Sequence, residues 1–222
     1  MTPVPTDMSL IERLAAIPYT GAVTDILDEM GCRHQTLPRS IQSLVPGQTL
    51  AGRALTLLGE PSEIEDPDVI FPPFLRMLGA IKPGDVLAYQ TNDDSAAHLG
   101  ELSSETAKYR GARGAVIDGG ARDTEYMVRL GFPVFARYKT PQDIRGRWRL
   151  ADWNVPVVIG SVKIRPGDFI LGDRDGVIVI PQTIAEEVVG KAEVVVHAEN
   201  LVRASILDGV LPIEAYEQFG RF

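Results

Sequence analysis

The sequence predicts an α/β protein with a central mixed, partly parallel sheet and a long C-terminal helix. Three observations support this fold class. β-rich segments bounded by Gly, Pro or Asp alternate with helical patterns in the first 150 residues, short β runs with tight turns follow, and heptad-like apolar spacing begins near Thr183. The order strand, helix, strand indicates crossover connections, which join parallel strands.

Two short helices are predicted at the N-terminal end, at 9–17 ("SLIERLAAI") and 21–31 ("GAVTDILDEMG"). Ser9 is a candidate N-cap of the first helix, because its hydroxyl can accept a bond from a free N–H of the first turn. Gly31 can end the second helix in the left-handed conformation.

Four β-rich segments follow, at 47–59, 84–90, 114–119 and 133–138. Helical patterns lie between them at 69–81, at 101–111 and from about Asp123. This alternation predicts that successive strands of the sheet are joined through helices packed on its face.

After about residue 150 the pattern changes. Residues 156–181, "PVVIGSVKIRPGDFILGDRDGVIVIP", contain short β runs separated by Pro-Gly-Asp and Asp-Gly turns, which predicts a meander of antiparallel hairpins. A long helix is predicted at about 183–208, with one apolar face against the sheet or another subunit. Because there is no low-complexity linker and no clear repeat, we expect residues 1–222 to form a single domain.

Composition excludes several classes of protein. The net charge of −8 argues against a general nucleic-acid binder, and the one dense basic cluster, Arg145, Arg147 and Arg149, is interpreted as a solvated face. Cys32 is the only cysteine, which excludes an intrachain disulfide and a zinc site of several thiolates. Without a signal-peptide pattern or a membrane-length apolar run, we expect a cytoplasmic protein with neither nucleic acid nor membrane as partner.

Glu101, Arg122 and Asp123 form the strongest candidate site. Glu101 opens a predicted helix, and the Arg-Asp pair follows the β-rich stretch 115–118. Helix N-termini favour bound anions, and the carboxyl ends of neighbouring parallel strands meet at one edge of a sheet. The carboxylates could hold a hard cation such as Mg²⁺ or Mn²⁺, and Arg122 could bind a planar oxyacid.

The same three residues also have simpler interpretations. Asp123 could do no more than cap its own helix. Glu101 could simply interact favourably with the dipole of its helix, and Arg122 could be solvated.

Other polar residues near this segment leave similar alternatives open. Asp93 and Asp94 could be further ligands, although a polar loop tip is the favoured interpretation. His98 could shuttle a proton near neutral pH. Asp118 could orient the side chains that bind the ligand, or it could form a turn. Asp173 is interpreted as part of a hairpin turn rather than a calcium loop.

Several longer sequence motifs resemble those of one known family. The chain from about residue 20 to 181 is similar to the RraA-like family, which includes class II 4-hydroxy-4-methyl-2-oxoglutarate / 4-carboxy-4-hydroxy-2-oxoadipate aldolases and the regulator of ribonuclease E activity. The matching words are "VTDILDEMG", "LAGRALTL", "KPGDVLAYQ", "LGELSSETAKYRGARGAVIDGGARDTEYMVRLGFPVFAR" and "RPGDFILGDRDGVIVIP". The resemblance implies a layered swivelling β/β/α fold and a homotrimer or a dimer of trimers.

The resemblance also implies a metal-dependent lyase. Aldolases of the family carry an acid, twenty intervening residues and then Arg-Asp, and Glu101 with Arg122 and Asp123 reproduces that spacing, with Glu in place of Asp. Asp123 would bind the divalent cation directly and Glu101 through water, and Arg122 would polarise the 2-oxo group. The implied activities are cleavage of a 4-hydroxy-2-oxo acid to pyruvate and decarboxylation of oxaloacetate.

Further residues take roles from the same resemblance. The backbone around Gly100, Leu102 and Ser103 would bind the substrate carboxylate, together with Arg122. Glu199, in the C-terminal helix of a neighbouring subunit, would assist a water molecule as general base. The segment 60–76, with a neighbouring subunit, is expected to contact the distal part of the substrate.

Two other functions remain open from the sequence. The family includes regulators without chemistry, so this chain could instead bind a ribonuclease or a helicase, although regulator-type members generally lose part of the acid–Arg–Asp set. A methyltransferase activity is disfavoured, because no glycine-rich loop suited to a methyl donor is present.

Overall fold

The computed structural model describes residues 7–45 and 47–221, and its elements alternate between helix and strand through the middle of the chain. The helices are α1 (Asp7–Ala15), α2 (Thr20–Glu29), α3 (Pro67–Ala80), α4 (Glu101–Tyr109), α5 (Thr124–Leu130), α6 (Ala185–Leu207) and α7 (Pro212–Phe219). The strands are β1 (Gln42–Ser43), β2 (Leu50–Pro61), β3 (Asp85–Gln90), β4 (Ala97–Leu99), β5 (Gly114–Ala121), β6 (Val134–Lys139), β7 (Trp148–Trp153), β8 (Val157–Ile159), β9 (Val162–Ile164), β10 (Phe169–Gly172) and β11 (Val177–Ile180).

Nine strands of the described chain form one mixed sheet, with the central order β1-β6-β5-β3-β2-β10-β11. Strands β2, β3, β5 and β6 run parallel to one another, while β10 pairs antiparallel with both β2 and β11. Two further strands join at the side, β4 parallel to β5 and β7 antiparallel to β2. The predicted crossover topology is therefore confirmed.

Alternating residues of the parallel strands face two different cores, as the period of two in a strand requires. In β3, Leu87 and Tyr89 pack in the core beneath α3, α4 and α5, whereas Val86 and Ala88 face the β8–β9 hairpin. A third core joins β10 and β11 to α1, α2 and α6. The curled sheet thus forms a half-barrel with a second β layer on one face and helices outside it, which confirms the expected mixed α/β class.

The predicted helices are present, with some changes at their ends. Ser9 lies inside α1, which has already begun at Asp7, so its predicted N-cap role is wrong. Gly31 follows α2 with φ of 78°, the left-handed conformation that was expected. The long C-terminal helix is α6, and α7, which follows it, was not predicted. None of the helices in the described part of the chain has the length and apolar character that crossing a membrane would need.

Residues 156–181 form two hairpins and not one meander. β8 and β9 pair only with each other, whereas β10 and β11 extend the main sheet through the contact of β10 with β2. The turn pattern correctly predicted antiparallel pairs, but it could not show that the two pairs belong to different layers, because that depends on distant β2.

Strand β5 extends beyond the predicted segment 114–119, through Gly120 to Ala121, with a shift of register between Ile117 and Gly120. A Cβ on Gly119 would lie 2.6 Å from Nδ1 of His98, and one on Gly120 would lie 2.4 Å from the ring of Tyr138. The two glycines therefore permit close packing inside a bulged strand, and of the two interpretations of Asp118, that of a turn former is wrong, because Asp118 lies within β5.

We predict that Gly120→Ala lowers the free energy of unfolding by about 2 kcal/mol or more, because the added methyl group has no space in the strand. Gly79→Ala is the matched control: a Cβ on Gly79, in α3, meets nothing within 4 Å. It should raise the free energy of unfolding by about 0.5–1 kcal/mol through helix propensity. Urea unfolding followed by circular dichroism measures both changes, and equal effects in the two variants would contradict the packing explanation.

Candidate functional site

Three strand ends bring polar residues to one edge of the sheet. Gly100 and Glu101 follow β4, Arg122 and Asp123 follow β5, and Asp143 lies in the loop after β6. These residues line a cleft of about 410 Å³. The structure therefore brings together the acid, the arginine and the aspartate that the sequence suggested, at the carboxyl edge where ligands of such sheets usually bind.

Asp123 connects two helices at the base of the cleft. It adopts the left-handed conformation, with φ of 55°, directly before α5, and its carboxylate makes no capping bond to that helix. Instead its Oδ2 accepts a hydrogen bond from the backbone N–H of Glu101, at 3.0 Å, in the first turn of α4. The interpretation of Asp123 as a cap of its own helix is therefore wrong. Aspartate tolerates this backbone conformation better than most residues, although it still carries strain.

Gly100 makes this contact possible. A Cβ at Gly100 would lie 2.8 Å from Oδ2 of Asp123 and 3.2 Å from Nε of Arg122, so any larger residue would displace both side chains. The next amides of α4, those of Leu102 and Ser103, have no hydrogen-bond acceptor within the described residues. Free N–H groups at this helix end can donate hydrogen bonds to an anion in the cleft.

Arg122 lies between two carboxylates. Its Nη1 is 3.2 Å from Oδ2 of Asp143, and its Nε is 3.8 Å from Oδ2 of Asp123. Its side chain is 36% exposed, so these contacts orient the guanidinium and leave it accessible from the cleft. The alternative of a freely solvated Arg122 does not describe this position.

The charges of the cleft suit a divalent cation. The lining contains three carboxylates, of Glu101, Asp123 and Asp143, and one guanidinium, which gives a formal charge of −2. The side chain of Asp123 is 44% exposed, and its hydrogen bond to α4 uses only Oδ2. Oxygen donors of this kind fit Mg²⁺ or Mn²⁺, which retain several water ligands, better than a softer metal.

A fully protein-bound metal cage is not present in residues 7–45 and 47–221, where no three His, Cys, Asp or Glu side chains gather around one point. A cation here would therefore take few ligands from the described residues and would keep several water molecules.

Asp143 was missed by the sequence analysis. It follows the fourth parallel strand, in "TPQDIRG", and the rule that placed Glu101 and Arg122 at the carboxyl edge applies equally to the loop after β6. Applying the rule to every strand end would have found it.

Much of the remaining cleft lining is hydrophobic. We call this surface the apolar wall, and it consists of Phe71, Phe74, Leu75 and Leu78 of α3, Leu102 of α4, and Ile144. Part of the predicted contact segment 60–76 thus reaches the cleft, through Phe71, Phe74 and Leu75 of α3. The wall is accessible at its mouth, since Leu75 is 58% and Leu102 76% exposed.

His98 lies at the back of the cleft lining, and its side chain is fully buried. Its Nδ1 accepts the N–H of Gly120 at 3.2 Å, so the proton of the neutral ring is on Nε2, which is 3.1 Å from Oδ2 of Asp93. Burial lowers the pKa of His98 to about 4, against the opposing effect of Asp93. This histidine is neutral at physiological pH and holds the loop in place, so the proton-shuttle interpretation is not supported.

Asp93 organises the loop before β4. Its carboxylate accepts hydrogen bonds from the N–H and hydroxyl of Ser95 and from the N–H of Ala96. Burial alone would raise the pKa of Asp93, but these bonds and the facing His98 outweigh it and lower that pKa. The favoured interpretation, a polar loop tip and not a ligand pair, describes both Asp93 and the exposed Asp94.

Three other acidic candidates lie away from the cleft lining. Asp118 lies within β5, where its Oδ1 is 3.5 Å from Nη1 of Arg137. Asp173 accepts the backbone N–H and hydroxyl of Thr20, so it caps α2 from the turn between β10 and β11, and the hairpin-turn interpretation is the correct one. Glu199 lies on α6, which contributes no residue to the cleft, and accepts a hydrogen bond from the hydroxyl of Tyr19.

The fold and the cleft define a class: an α/β protein with a mixed half-barrel sheet and an acidic, oxygen-lined site at its carboxyl edge. The model of the RraA-like family, described as Aldolase/RraA, matches residues 20–179. The chain belongs to this family.

Individual relatives agree with that assignment. A protein of Halalkalibacterium halodurans named "Putative 4-hydroxy-4-methyl-2-oxoglutarate aldolase" is 31% identical over 95% of this chain and 94% of its own length. An uncharacterized protein from Pseudomonas syringae has a TM-score of 0.85 and 28% identity, covering 98% of this chain and 97% of its own. Streptomyces coelicolor RraAS2, described as an unusual member of the RNase ES inhibitor RraA protein family, has a TM-score of 0.80 and 29% identity, covering 90% and 99%.

We predict that His98 makes stability depend on pH between about 4 and 6.5. Its folded pKa of about 4 lies below the ordinary value of 6.5, so the unfolded chain binds the additional proton in this range. The contribution is fully present above pH 6.5 and is lost as pH falls towards 4, to a total on the order of 3 kcal/mol.

Urea unfolding at several pH values should show a shallower pH dependence in His98→Gln than in the original chain. His34→Gln, at an exposed histidine, is the control and should keep the original slope. If both variants keep that slope, His98 is not the titrating group.

Proposed function

We propose that the chain is a divalent-metal-dependent, class II aldolase that cleaves a 4-hydroxy-2-oxo acid to pyruvate, with oxaloacetate decarboxylation as a side activity. The observation that carries the proposal is the joint position of Arg122, Asp123 and the free amides of α4 in one cleft of formal charge −2. The name of the Halalkalibacterium halodurans relative supports the same reaction class.

The residues of this chain bind and orient the pyruvate half of the substrate. The N–H groups of Leu102 and Ser103, beside Gly100, take the C1 carboxylate, and the guanidinium of Arg122 lies against the 2-oxo oxygen. A Mg²⁺ or Mn²⁺ ion held by Asp123, and by Glu101 through water, would supply Lewis-acid stabilisation of the developing negative charge. Asp143 holds Arg122 in the required orientation through their 3.2 Å contact.

Cleavage breaks the bond between C3 and C4. The C4 hydroxyl gives up its proton as C4 becomes a carbonyl, and the electron pair of the broken bond passes into the enolate of pyruvate, whose oxygen Arg122 stabilises. C3 then takes a proton to give pyruvate. From the family resemblance we assign the assistance of the base to Glu199 of a partner subunit, since α6 contributes no residue to the cleft of its own chain. This role requires an oligomer, which we propose to be a trimer or a dimer of trimers.

We predict metal-dependent pyruvate release from a panel of 4-hydroxy-2-oxo acids with different C4 substituents, and from oxaloacetate. Coupled reduction of pyruvate by lactate dehydrogenase measures the rate with magnesium, with manganese and with excess chelator. Arg122→Ala should lower kcat by about 10²–10³-fold, the usual effect of removing one group that stabilises developing charge.

Arg129→Ala, at an exposed arginine of α5 outside the cleft, is the matched control and should keep the original rate. Undiminished turnover in a folded Arg122→Ala variant would remove this residue from the mechanism. No pyruvate from any acid, with folded protein and metal present, would overturn the proposed activity.

A second prediction separates metal binding from turnover. Asp123→Asn should weaken Mn²⁺ binding, measured by titration calorimetry, by at least about tenfold, because a neutral amide replaces the anionic ligand. The amide oxygen can still accept the N–H of Glu101, so α4 should keep its cap. Asp94→Asn, at an exposed loop residue, should bind Mn²⁺ as the original chain does. Equal affinity in all three proteins would place the cation elsewhere.

A regulatory function is the second candidate, supported by the similarity to Streptomyces coelicolor RraAS2. On this alternative the chain binds a ribonuclease or a helicase and catalyses nothing. Specific capture of such a partner, together with no Mn²⁺ affinity and no pyruvate release, would favour it over the lyase.

A further inference from the structure

The three arginines of the basic cluster, Arg145, Arg147 and Arg149, are exposed but make different contacts. Arg149 of β7 forms an ion pair with Glu60 of β2. The guanidinium groups of Arg145 and Arg147 instead donate hydrogen bonds to backbone carbonyl groups. Two of the three side chains therefore stabilise a particular backbone geometry, which a merely solvated face would not require.

The backbone that they stabilise is the loop 143–147, which contributes Asp143 to the cleft lining. The carboxylate of Asp143 is oriented through both oxygens. Its Oδ2 accepts a hydrogen bond from Nη1 of Arg122, and its Oδ1 accepts one from the backbone N–H of Arg145, each at 3.2 Å. Within the described residues this carboxylate is the only hydrogen-bond partner of the Arg122 guanidinium, because the 3.8 Å approach of its Nε to Asp123 is too long for a hydrogen bond. The orientation of Arg122 thus depends on that of Asp143.

Three hydrogen bonds join loop 143–147 to segment 62–65, which precedes α3. Two of them are between backbone groups, from the N–H of Gly146 to the carbonyl of Ile64 at 3.0 Å and from the N–H of Ser62 to the carbonyl of Arg147 at 2.8 Å. The third comes from a side chain, from Nε of Arg145 to the carbonyl of Glu65 at 2.6 Å. Arg145 therefore contacts both sides of this connection, with its backbone N–H on Asp143 and its side chain on the neighbouring segment.

Arg147 stabilises the loop from within. Its Nη1 donates hydrogen bonds to the carbonyl groups of Asp143 and Arg145, at 3.2 and 3.1 Å, so one planar group contacts the backbone on both sides of Ile144. Neither Arg145 nor Arg147 belongs to the described lining of the cleft, so their contacts with the site run through Asp143. All of these contacts are formed within one chain and need no group from a neighbouring subunit.

We propose that Arg145 and Arg147 are positioning residues of the cleft. They fix loop 143–147, so that the carboxylate of Asp143 holds the guanidinium of Arg122 in one orientation. Without this support an exposed arginine would lose its rotamer freedom only when the ligand binds, which lowers the affinity for that ligand. The consequence for catalysis rests on the proposed aldolase function, in which Arg122 stabilises the enolate oxygen.

Titration calorimetry with oxalate, in the presence of Mn²⁺, measures the effect without turnover. Oxalate is a planar dianion that resembles the enolate of pyruvate, so its affinity should depend on the orientation of Arg122. We expect Arg122→Ala to weaken oxalate binding by at least about tenfold, as for the loss of a hydrogen bond to a charged group. Arg145→Ala and Arg147→Ala should each weaken it by at least about threefold, as for residues that belong to one network.

A double-mutant cycle separates positioning from direct binding of the anion. If Arg145 and Arg147 act only through Arg122, adding either substitution to Arg122→Ala should weaken oxalate binding no further. A loss in the Arg122→Ala background as large as that in the original chain would mean that these guanidinium groups attract the anion themselves, and would overturn the inference. An unchanged oxalate affinity in Arg122→Ala would overturn it as well.

Two further variants test whether positive charge alone is sufficient. Arg149→Ala, from the same basic cluster, is the matched control and should keep the original affinity, because Arg149 contacts Glu60 and not the loop. Arg147→Lys keeps the charge but lacks the planar fork, so it should bind oxalate as weakly as Arg147→Ala. Full affinity in Arg147→Lys, or an equal loss in Arg149→Ala, would contradict positioning through the loop.

Pyruvate distinguishes positioning from a general loosening of the cleft. Its 2-oxo oxygen carries no full charge, so misplacing Arg122 should weaken pyruvate binding less than oxalate binding. Equal losses for the two ligands in Arg145→Ala and Arg147→Ala would overturn the inference.

Turnover is measured separately, so that the two hypotheses remain distinguishable. Non-additive losses of oxalate affinity, without pyruvate release from any acid, would support the positioning residues and overturn the aldolase function. Additive losses in a chain that does release pyruvate would overturn the positioning residues and leave the aldolase function intact.

Discussion

The geometry of the cleft depends on one interaction, the hydrogen bond from the first amide of α4 to the carboxylate of Asp123. It joins the helix that follows β4 to the residue that follows β5, so it fixes the spacing between two neighbouring strand ends. Gly100 permits it, because any side chain there would occupy the place of that carboxylate. The position of Arg122 follows, since it is bonded covalently to Asp123 and held on its other side by Asp143.

Two unfavourable backbone features lie close to this interaction. Asp123 remains in a left-handed conformation, and Gly119 and Gly120 form a bulged strand that loses the packing of two side chains. Buried His98 and the loop around Asp93 fill the space beside that bulge, through the bond from Gly120 to the ring and the contact of the ring with Trp148. Local strain at the cleft is thus supported by a well-packed region behind it.

The sequence predicted the regular part of this structure well, because hydrophobic periodicity and turn residues act locally. The four parallel strands, α6 and the left-handed Gly31 follow from patterns within a few residues. The bulge in β5 does not, since the need for two glycines comes from Tyr138 and His98, which lie far from it in the chain. The separate pairing of the two C-terminal hairpins could not be predicted for the same reason. It depends on contact with β2, which is more than a hundred residues away in the chain.

For the site, spacing and sheet topology brought Glu101, Arg122 and Asp123 to one edge, but the roles expected of them came from family resemblance. Sequence could not show that Asp123 caps α4 and not α5, because the two possibilities differ only in a side-chain direction. It also could not show the apolar wall, since α3 must first pack over the strand ends before Phe71 and Leu75 face the same space as Arg122.

The charged edge and the apolar wall have complementary physical effects. A carboxylate, a guanidinium and helix amides act more strongly on a developing enolate when water is excluded, because the local dielectric constant falls. Phe74, Leu78 and Ile144 are buried, so this part of the cleft lining lowers the local dielectric constant, while the exposed Leu75 and Leu102 leave the mouth open to solvent.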